Sequence, residues 1–398
     1  MRDPVEQAIE RLMDDSISRR DFVRTLGTAG LLVGGGGTLL AACGGVKGTE
    51  NKNAMKNVTA NHPKVAISEL DFSNWPLYID KKILKNWDKK YGGKVKYTEE
   101  INDNPSFFGK VREPLARGQS IQRDIVVLTD WMAGRWVRSG YAEAIDKRNV
   151  PNIKNLQPGL AHPKFDPNRN FTLPWQSGMT AIGYNKEKTG RALTSIKDLF
   201  DPKFKGKVSL LEDPYDSAGM VCLMNGVKTA DATDADIQKA IDKIDAENRK
   251  GQIRRFTGND YTTDLTKGNL WVSLAYSGDV VSLQADNPQL EFLIPDEGAL
   301  LWTDNMIIPQ KAPHPYAAET MMNFVYEPAV AAKIAAAVNY VTPVVGAKEA
   351  LAKTDPKTAQ SQLIFPDDAT RAKLQPYFTL TAQQERQMNE AMQKVVGA

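Results

Sequence analysis

Histidine is nearly absent from this chain. His62, His162 and His314 are the only three in 398 residues, and each stands beside a proline. Cysteine occurs twice, as Cys43 and Cys222. No His-x-x-His, Cys-x-x-Cys or Gly-x-Ser-x-Gly spacing occurs, so zinc, redox and serine-hydrolase readings lose their usual parts. Gly34-Gly35-Gly36-Gly37 is not followed by Gly-Lys-Ser/Thr and is no phosphate loop. Neither cofactor nor metal is expected. Carboxylates are plentiful, but spacing alone assigns no glycosidase pair. An enzyme of unassigned chemistry is therefore the weaker reading, and a non-enzyme is expected. No run of about 18 strongly apolar residues exists, which excludes a multi-pass membrane protein. Long basic runs are also missing, and 51 Lys+Arg against 48 Asp+Glu leave a net charge of +3. No nucleic-acid partner is expected.

What is present begins at the N-terminus. Ser18-Arg19-Arg20-Asp21-Phe22-Val23-Arg24 resembles a twin-arginine export signal, and a weakly apolar, Gly-rich run follows from Thr25 to Thr38. Leu40-Ala41-Ala42-Cys43 then looks like a lipobox, in which the Cys43 thiol takes the lipid. The expected organisation is a signal peptide over 1–42 and a lipidated, flexible tether over 43–63, placing the protein outside the cytoplasmic membrane. Cys222 is then the only free thiol, so no intramolecular disulfide is expected.

The remaining length exceeds the usual single-core size, so two domains are the prior. Strand and helix signals alternate: Val65 to Leu70, a helix carrying Ile83, Leu84 and Trp87 and stopped by Gly92-Gly93, then Val95 to Tyr97 and Asp124 to Thr129. The pattern resumes with Ala181 to Tyr184, Lys207 to Leu211, Leu270 to Tyr276 and Leu290 to Ile294. Such alternation predicts an α/β protein with a largely parallel sheet. Thr381 with Gln384 predicts a capping box on the last helix.

One stretch carries more than fold. Leu301-Trp302-Thr303-Asp304-Asn305 leads into an apolar strand, so Trp302 and Asp304 share a face. An indole beside a carboxylate suits an organic cation, although a core Trp with a turn Asp reads the same way. Similar aromatic-plus-polar clusters end other strands: Asn74-Trp75-Pro76-Leu77-Tyr78, Thr129-Asp130-Trp131, Glu212-Asp213-Pro214-Tyr215-Asp216 and Tyr276-Ser277-Gly278-Asp279. In open α/β sheets such ends converge on one crevice.

With Phe165-Asp166-Pro167-Asn168, Thr180-Ala181-Ile182-Gly183, Trp302-x-Asp304 and Tyr340-x-Thr342-Pro343, these blocks resemble the extracytoplasmic spermidine/putrescine (polyamine) receptors of ABC importers. The resemblance runs from about Val65 to Pro366. It implies the two-lobe periplasmic-binding-protein fold (type II-like), with hinge-crossing strands and an interlobe ligand cleft. The lobes are expected over 64–177 plus 303–347 and over 178–302 plus 348–398. The implied ligand contacts are Trp75, Tyr78, Thr129, Trp131, Asp213, Asp216, Tyr276, Trp302, Asp304 and Tyr340. Thr129 stands where the family commonly has Ser, Trp131 where it has Tyr, and Tyr276 where it has Trp. Asp216 is Glu in well-known relatives, and Pro76 replaces a Thr. A family Gln near the C-terminus corresponds loosely to Gln375. The resemblance implies a monomer whose partners are a polyamine and an ABC permease and ATPase. The same fold holding another small cation or a metal complex stays open.

Overall fold

The computed structural model describes residues 59–101 and 103–397. The export signal, Cys43 and most of the tether lie outside the described residues.

Ten strands make one curled, mixed sheet: β1 (Glu69–Asn74), β2 (Lys94–Glu99), β3 (Ile125–Thr129), β4 (Thr172–Asn185), β5 (Val208–Leu211), β6 (Ile253–Thr257), β7 (Val272–Tyr276), β8 (Leu290–Leu293), β9 (Ala299–Ile307) and β10 (Leu374–Pro376). Their order is β2-β1-β3-β9-β4-β7-β5-β6, with β8 on β4 and β10 on β9. One lobe forms around the parallel set β1, β2 and β3, the other around the parallel set β5, β6 and β7. The parallel sheet expected from the sequence is thus present at both ends. The centre differs, because β4 and β9 run antiparallel to each other, β9 antiparallel to β3, and β4 antiparallel to β7 and β8. These two long strands pass from one lobe to the other.

The first strand starts at Glu69 and not at Val65, whose side chain is 60% exposed. The apolar run marks the approach to the sheet, while the strand itself carries polar, buried Ser73 and Asn74 at its far end. On β4 only Ala181 to Tyr184 was expected. All fourteen of its residues are buried, so neither face shows alternation, and Pro174 sits at a register shift. A third segment joins the crossing strands where Ser177 and Val341 exchange backbone hydrogen bonds of 2.8 Å.

Helices form where caps and periodicity agree. Asp80 accepts from Lys82 N to open Lys81–Tyr91, and Gly92 closes it in the left-handed region. Thr381 and Gln384 make the expected capping box on Ala382–Val396, which buries Met388, Met392 and Val395. Pro328 opens the helix Pro328–Val338, where its missing N–H costs nothing. Helix Pro214–Met224 shows no amphipathic periodicity because residues 214–223 are all buried.

Candidate ligand-binding site

Asp304 lies on β9 opposite Thr129 of β3 and Gln176 of β4. Its carboxylate is 4% exposed. Thr129 Oγ1 donates to Oδ1 at 2.7 Å, and Tyr78 OH donates to Oδ2 at 2.9 Å. Asn104 orients Thr129 by donating from Nδ2 to Oγ1 at 2.9 Å. Burial nevertheless pushes the Asp304 carboxyl up to about 7, and nearby Asp130 adds to the rise. The two hydroxyl donors oppose that shift without cancelling it.

Two residues back along the same face, Trp302 meets Tyr276 edge-on at 5.6 Å and Tyr340 at 5.4 Å. Tyr340 also meets Tyr78 edge-on at 5.5 Å, so one tyrosine ring bridges the Trp302 and Asp304 neighbourhoods. Two glycines make room for these rings. A Cβ on Gly178 would lie 2.2 Å from Trp302 Cζ2, and one on Gly278 would lie 2.6 Å from Tyr340 Cζ. Trp75, half-buried at the end of β1, donates its indole N–H to Val127 O at 3.1 Å.

The second lobe supplies the acidic pair. Asp213, half-buried, caps helix Pro214–Met224 by accepting from Tyr215 N at 2.9 Å. Asp216, fully buried one turn later, accepts from Thr180 Oγ1 at 2.6 Å, Tyr276 OH at 3.0 Å and Tyr377 OH at 2.5 Å. Burial and the neighbouring Asp216 charge hold the Asp213 carboxyl well above the usual range, and burial raises Asp216 too. Among the described residues, Asp213, Asp216 and Asp304 form no ion pair, although arginine and lysine pair with carboxylates elsewhere. Trp131, from the first lobe, stacks on Tyr215 of the second at 5.2 Å and 12°.

Seven of the ten implied contacts, Tyr78, Thr129, Asp216, Tyr276, Trp302, Asp304 and Tyr340, form one chain of contacts around the crossing strands; Trp131 and Asp213 meet at Tyr215, and Trp75 is anchored on Val127 of β3. Gln375 lies on β10 opposite Leu300, on the same strand as Trp302. The sequence reading did not name Tyr377, Asn104 or Gly178, and it quoted Thr180 and Asp279 within residue blocks without giving either a ligand contact. Asp279, 4% exposed, accepts from Tyr261 OH at 2.8 Å, Asn259 Nδ2 at 3.0 Å and Tyr340 OH at 3.2 Å. Its signal was its place two residues after Ser277 in an aromatic-acidic cluster. The Phe165-Asp166 block has a structural role: Asp166 accepts from the Asn170, Phe171 and Thr172 amides, which sets the entry to β4.

On these observations the site can hold a cation with several ammonium groups, given carboxylates and aromatic faces with no basic side chain paired to Asp213, Asp216 or Asp304 among the described residues. Comparison with known proteins narrows this. The family model for bacterial extracellular solute-binding proteins matches residues 82–362. The chain belongs to this family. The spermidine/putrescine-binding periplasmic protein of Salmonella typhimurium is 27% identical over 306 residues, covering 76% of this chain and 85% of that protein. The putrescine/cadaverine-binding protein of Pseudomonas aeruginosa is 28% identical over 338 residues, covering 82% and 92%. Among solved structures, a putative spermidine/putrescine ABC transporter from Listeria monocytogenes superposes with a TM-score of 0.73 at 26% identity, over 82% of this chain and 98% of that one. The two-lobe architecture of these solute-binding proteins is the architecture found here. Among the described residues no group of three His, Cys, Asp or Glu could hold a metal ion, and no helix is long and apolar enough to cross a membrane.

Proposed function

We propose that this protein is an extracytoplasmic receptor that captures a polyamine, spermidine or putrescine, between its lobes and delivers it to the permease of an ABC importer. The observation that carries the reading is the set of carboxylates Asp216 and Asp304, withdrawn from water, and half-buried Asp213, none with a basic partner among the described residues, beside Tyr78, Trp131, Tyr276, Trp302 and Tyr340. A polyamine carries ammonium groups with a pKa near that of lysine, about 10, so it arrives fully charged. Burying those charges is favourable only where each meets a carboxylate and hydrogen bonds. The aromatic faces cover the methylene chain and add cation–π attraction. The spermidine/putrescine-binding and putrescine/cadaverine-binding relatives described above support the same ligand class. In this reading Asp279, held beside Tyr340, is a further carboxylate for a second ammonium.

The lobe division assigned here is 64–177 plus 303–347 and 178–302 plus 348–398, since Ser177 faces Thr303 and Gly178 faces Trp302 across the β4–β9 ladder. Cleavage ahead of Cys43 and lipidation of its thiol would hold the receptor at the membrane. Isothermal calorimetry with putrescine, cadaverine and spermidine, on protein shown to be folded, tests the ligand class. Heat from at least one amine, with affinity weakened by about tenfold or more in Asp304→Asn, is expected. Absence of heat from all three would reject the reading.

A further inference from the structure

The ligand contacts lie on the crossing strands and lobe faces, yet a second set of cross-lobe contacts sits beside them. Glu385 opens the last helix, Ala382–Val396, which packs on helix Asp234–Arg249 of the second lobe. Asn248 donates to Val395 O and Gln384 to Asp234, tying that helix down. The Glu385 side chain is only 3% exposed. Neither carboxylate oxygen finds its cation in its own lobe. Arg135 Nη2 pairs with Oε1, and Arg138 Nη2 pairs with Oε2 at 3.2 Å. Both arginines stand on helix Asp130–Ser139 of the first lobe, directly after the Thr129–Trp131 segment that lines the cleft.

Arg135 does more than neutralise Glu385. Its guanidinium lies 5.3 Å over the Trp131 ring and 5.4 Å over Phe108. The other lobe answers with Tyr215, stacked on Trp131 and backed by Tyr377 at 5.6 Å and Phe378 at 6.2 Å. Phe108, Arg135, Trp131, Tyr215 and Phe378 form one column of cation–π and ring contacts across the lobe boundary, stacked at Trp131–Tyr215 and tilted by 45° at Tyr215–Phe378, with the ion pair alongside it. A buried ion pair contributes little net stability, since desolvation offsets its attraction, but it fixes geometry when both partners are present. Opening the lobes would take both cations away from Glu385 and unstack Trp131 in the same movement.

We propose that Arg135, Arg138 and Glu385 form a closing clamp, in which Glu385 is a positioning residue that holds Trp131 against the cleft and sets how long bound ligand stays. The clamp rests on the cleft being the binding site proposed above. It governs escape and not encounter, because its contacts exist only once the lobes have met.

The test is Glu385→Gln, with ligand release followed by stopped-flow tryptophan fluorescence for putrescine and spermidine. Dissociation is expected to accelerate about tenfold while association changes by less than about twofold. Glu385→Asp, which keeps the charge, should fall between parent and Gln. Unchanged dissociation, or equal losses in both rates, overturns the clamp and leaves the receptor reading standing. If no amine binds the parent protein, small-angle scattering of the unliganded proteins decides instead. A larger radius of gyration in Glu385→Gln than in the parent supports the clamp, and equal radii reject it. The double variant Arg135→Gln with Arg138→Gln, altering side chains 29% exposed, provides the same readings should the Glu385 variant fail to fold.

Discussion

Tyr78 and Asp304, 226 positions apart, are joined by a 2.9 Å hydrogen bond from the phenol to the carboxylate. Tyr78 follows the first strand of the sheet, and Asp304 stands on the strand that crosses between lobes. A change in the charge of Asp304 therefore acts on both the first lobe and the crossing strand. Burial without a cation makes that charge costly in the unliganded protein and useful only when a cation arrives.

Opposite effects on stability and binding follow for Asp304→Asn. The amide removes a carboxylate whose ionised form is disfavoured by its surroundings, so unliganded protein should unfold at an equal or higher temperature. Polyamine affinity should fall by about tenfold or more, since one charged partner is lost. Thermal denaturation and calorimetry on the same samples check both signs.

The pH dependence follows from the raised carboxyl of Asp304. Its folded value of about 7 lies above the ordinary value of 3.8. Between these values the folded state holds more protons than the unfolded state, so unliganded stability from this group is present at low pH and declines as pH rises through 7. Binding runs the other way. A cation selects the ionised carboxylate, so affinity should rise between pH 6 and pH 8 with protons released. Calorimetry in buffers of different ionisation enthalpy measures that release.

Gly178→Ala tests the packing beneath the indole. The new methyl would occupy space now held by Trp302 Cζ2, and both residues sit on paired strands with little freedom to separate. A stability loss of about 1–3 kcal/mol is expected from overpacking. Affinity should also fall because Trp302 is displaced toward Tyr276 and Tyr340. Denaturant unfolding and ligand titration give the two numbers.

Tyr377→Phe removes one of three hydroxyl donors to Asp216. Those donors favour the ionised carboxylate, so its titration should move further upward and the pH at which binding becomes tight should rise with it. Binding at neutral pH should weaken by several-fold, in line with about 1 kcal/mol for one such hydrogen bond. A titration series from pH 6 to pH 9 shows whether the profile shifts.

The Trp302–Asp304 pair was legible from strand periodicity, since residues two apart share a face whatever lies around them. The capping box at Thr381 and the stop at Gly92 were legible for the same local reason. Tyr377 was not, because a phenol that donates to a carboxylate 161 positions away leaves no spacing to read. Helix Pro214–Met224, which carries the acidic pair, was hidden by being apolar or buried on every side. The first half of β4 was hidden by Pro174, Gln176, Ser177 and Gly178, residues that weaken a strand signal and are tolerated here inside a fully buried ladder. Resemblance placed the ligand contacts on the chain, while the cross-lobe pairing of Arg135 with Glu385 required three dimensions.

The position of β9 in the sheet also bears on synthesis. It is ninth in chain order but lies at the middle of the sheet, between β3 and β4. Until residue 307 has been made, those two strands present unpaired edges toward each other. Exposed edges are templates for pairing with other chains, and such long-range pairing forms slowly. A chain truncated ahead of Ala299 should consequently aggregate through these edges, whereas loss of the short β10 spares the central ladder. The order of strands thus makes the chain through β9, and no shorter N-terminal portion of it, the unit that closes its central ladder as it leaves the ribosome.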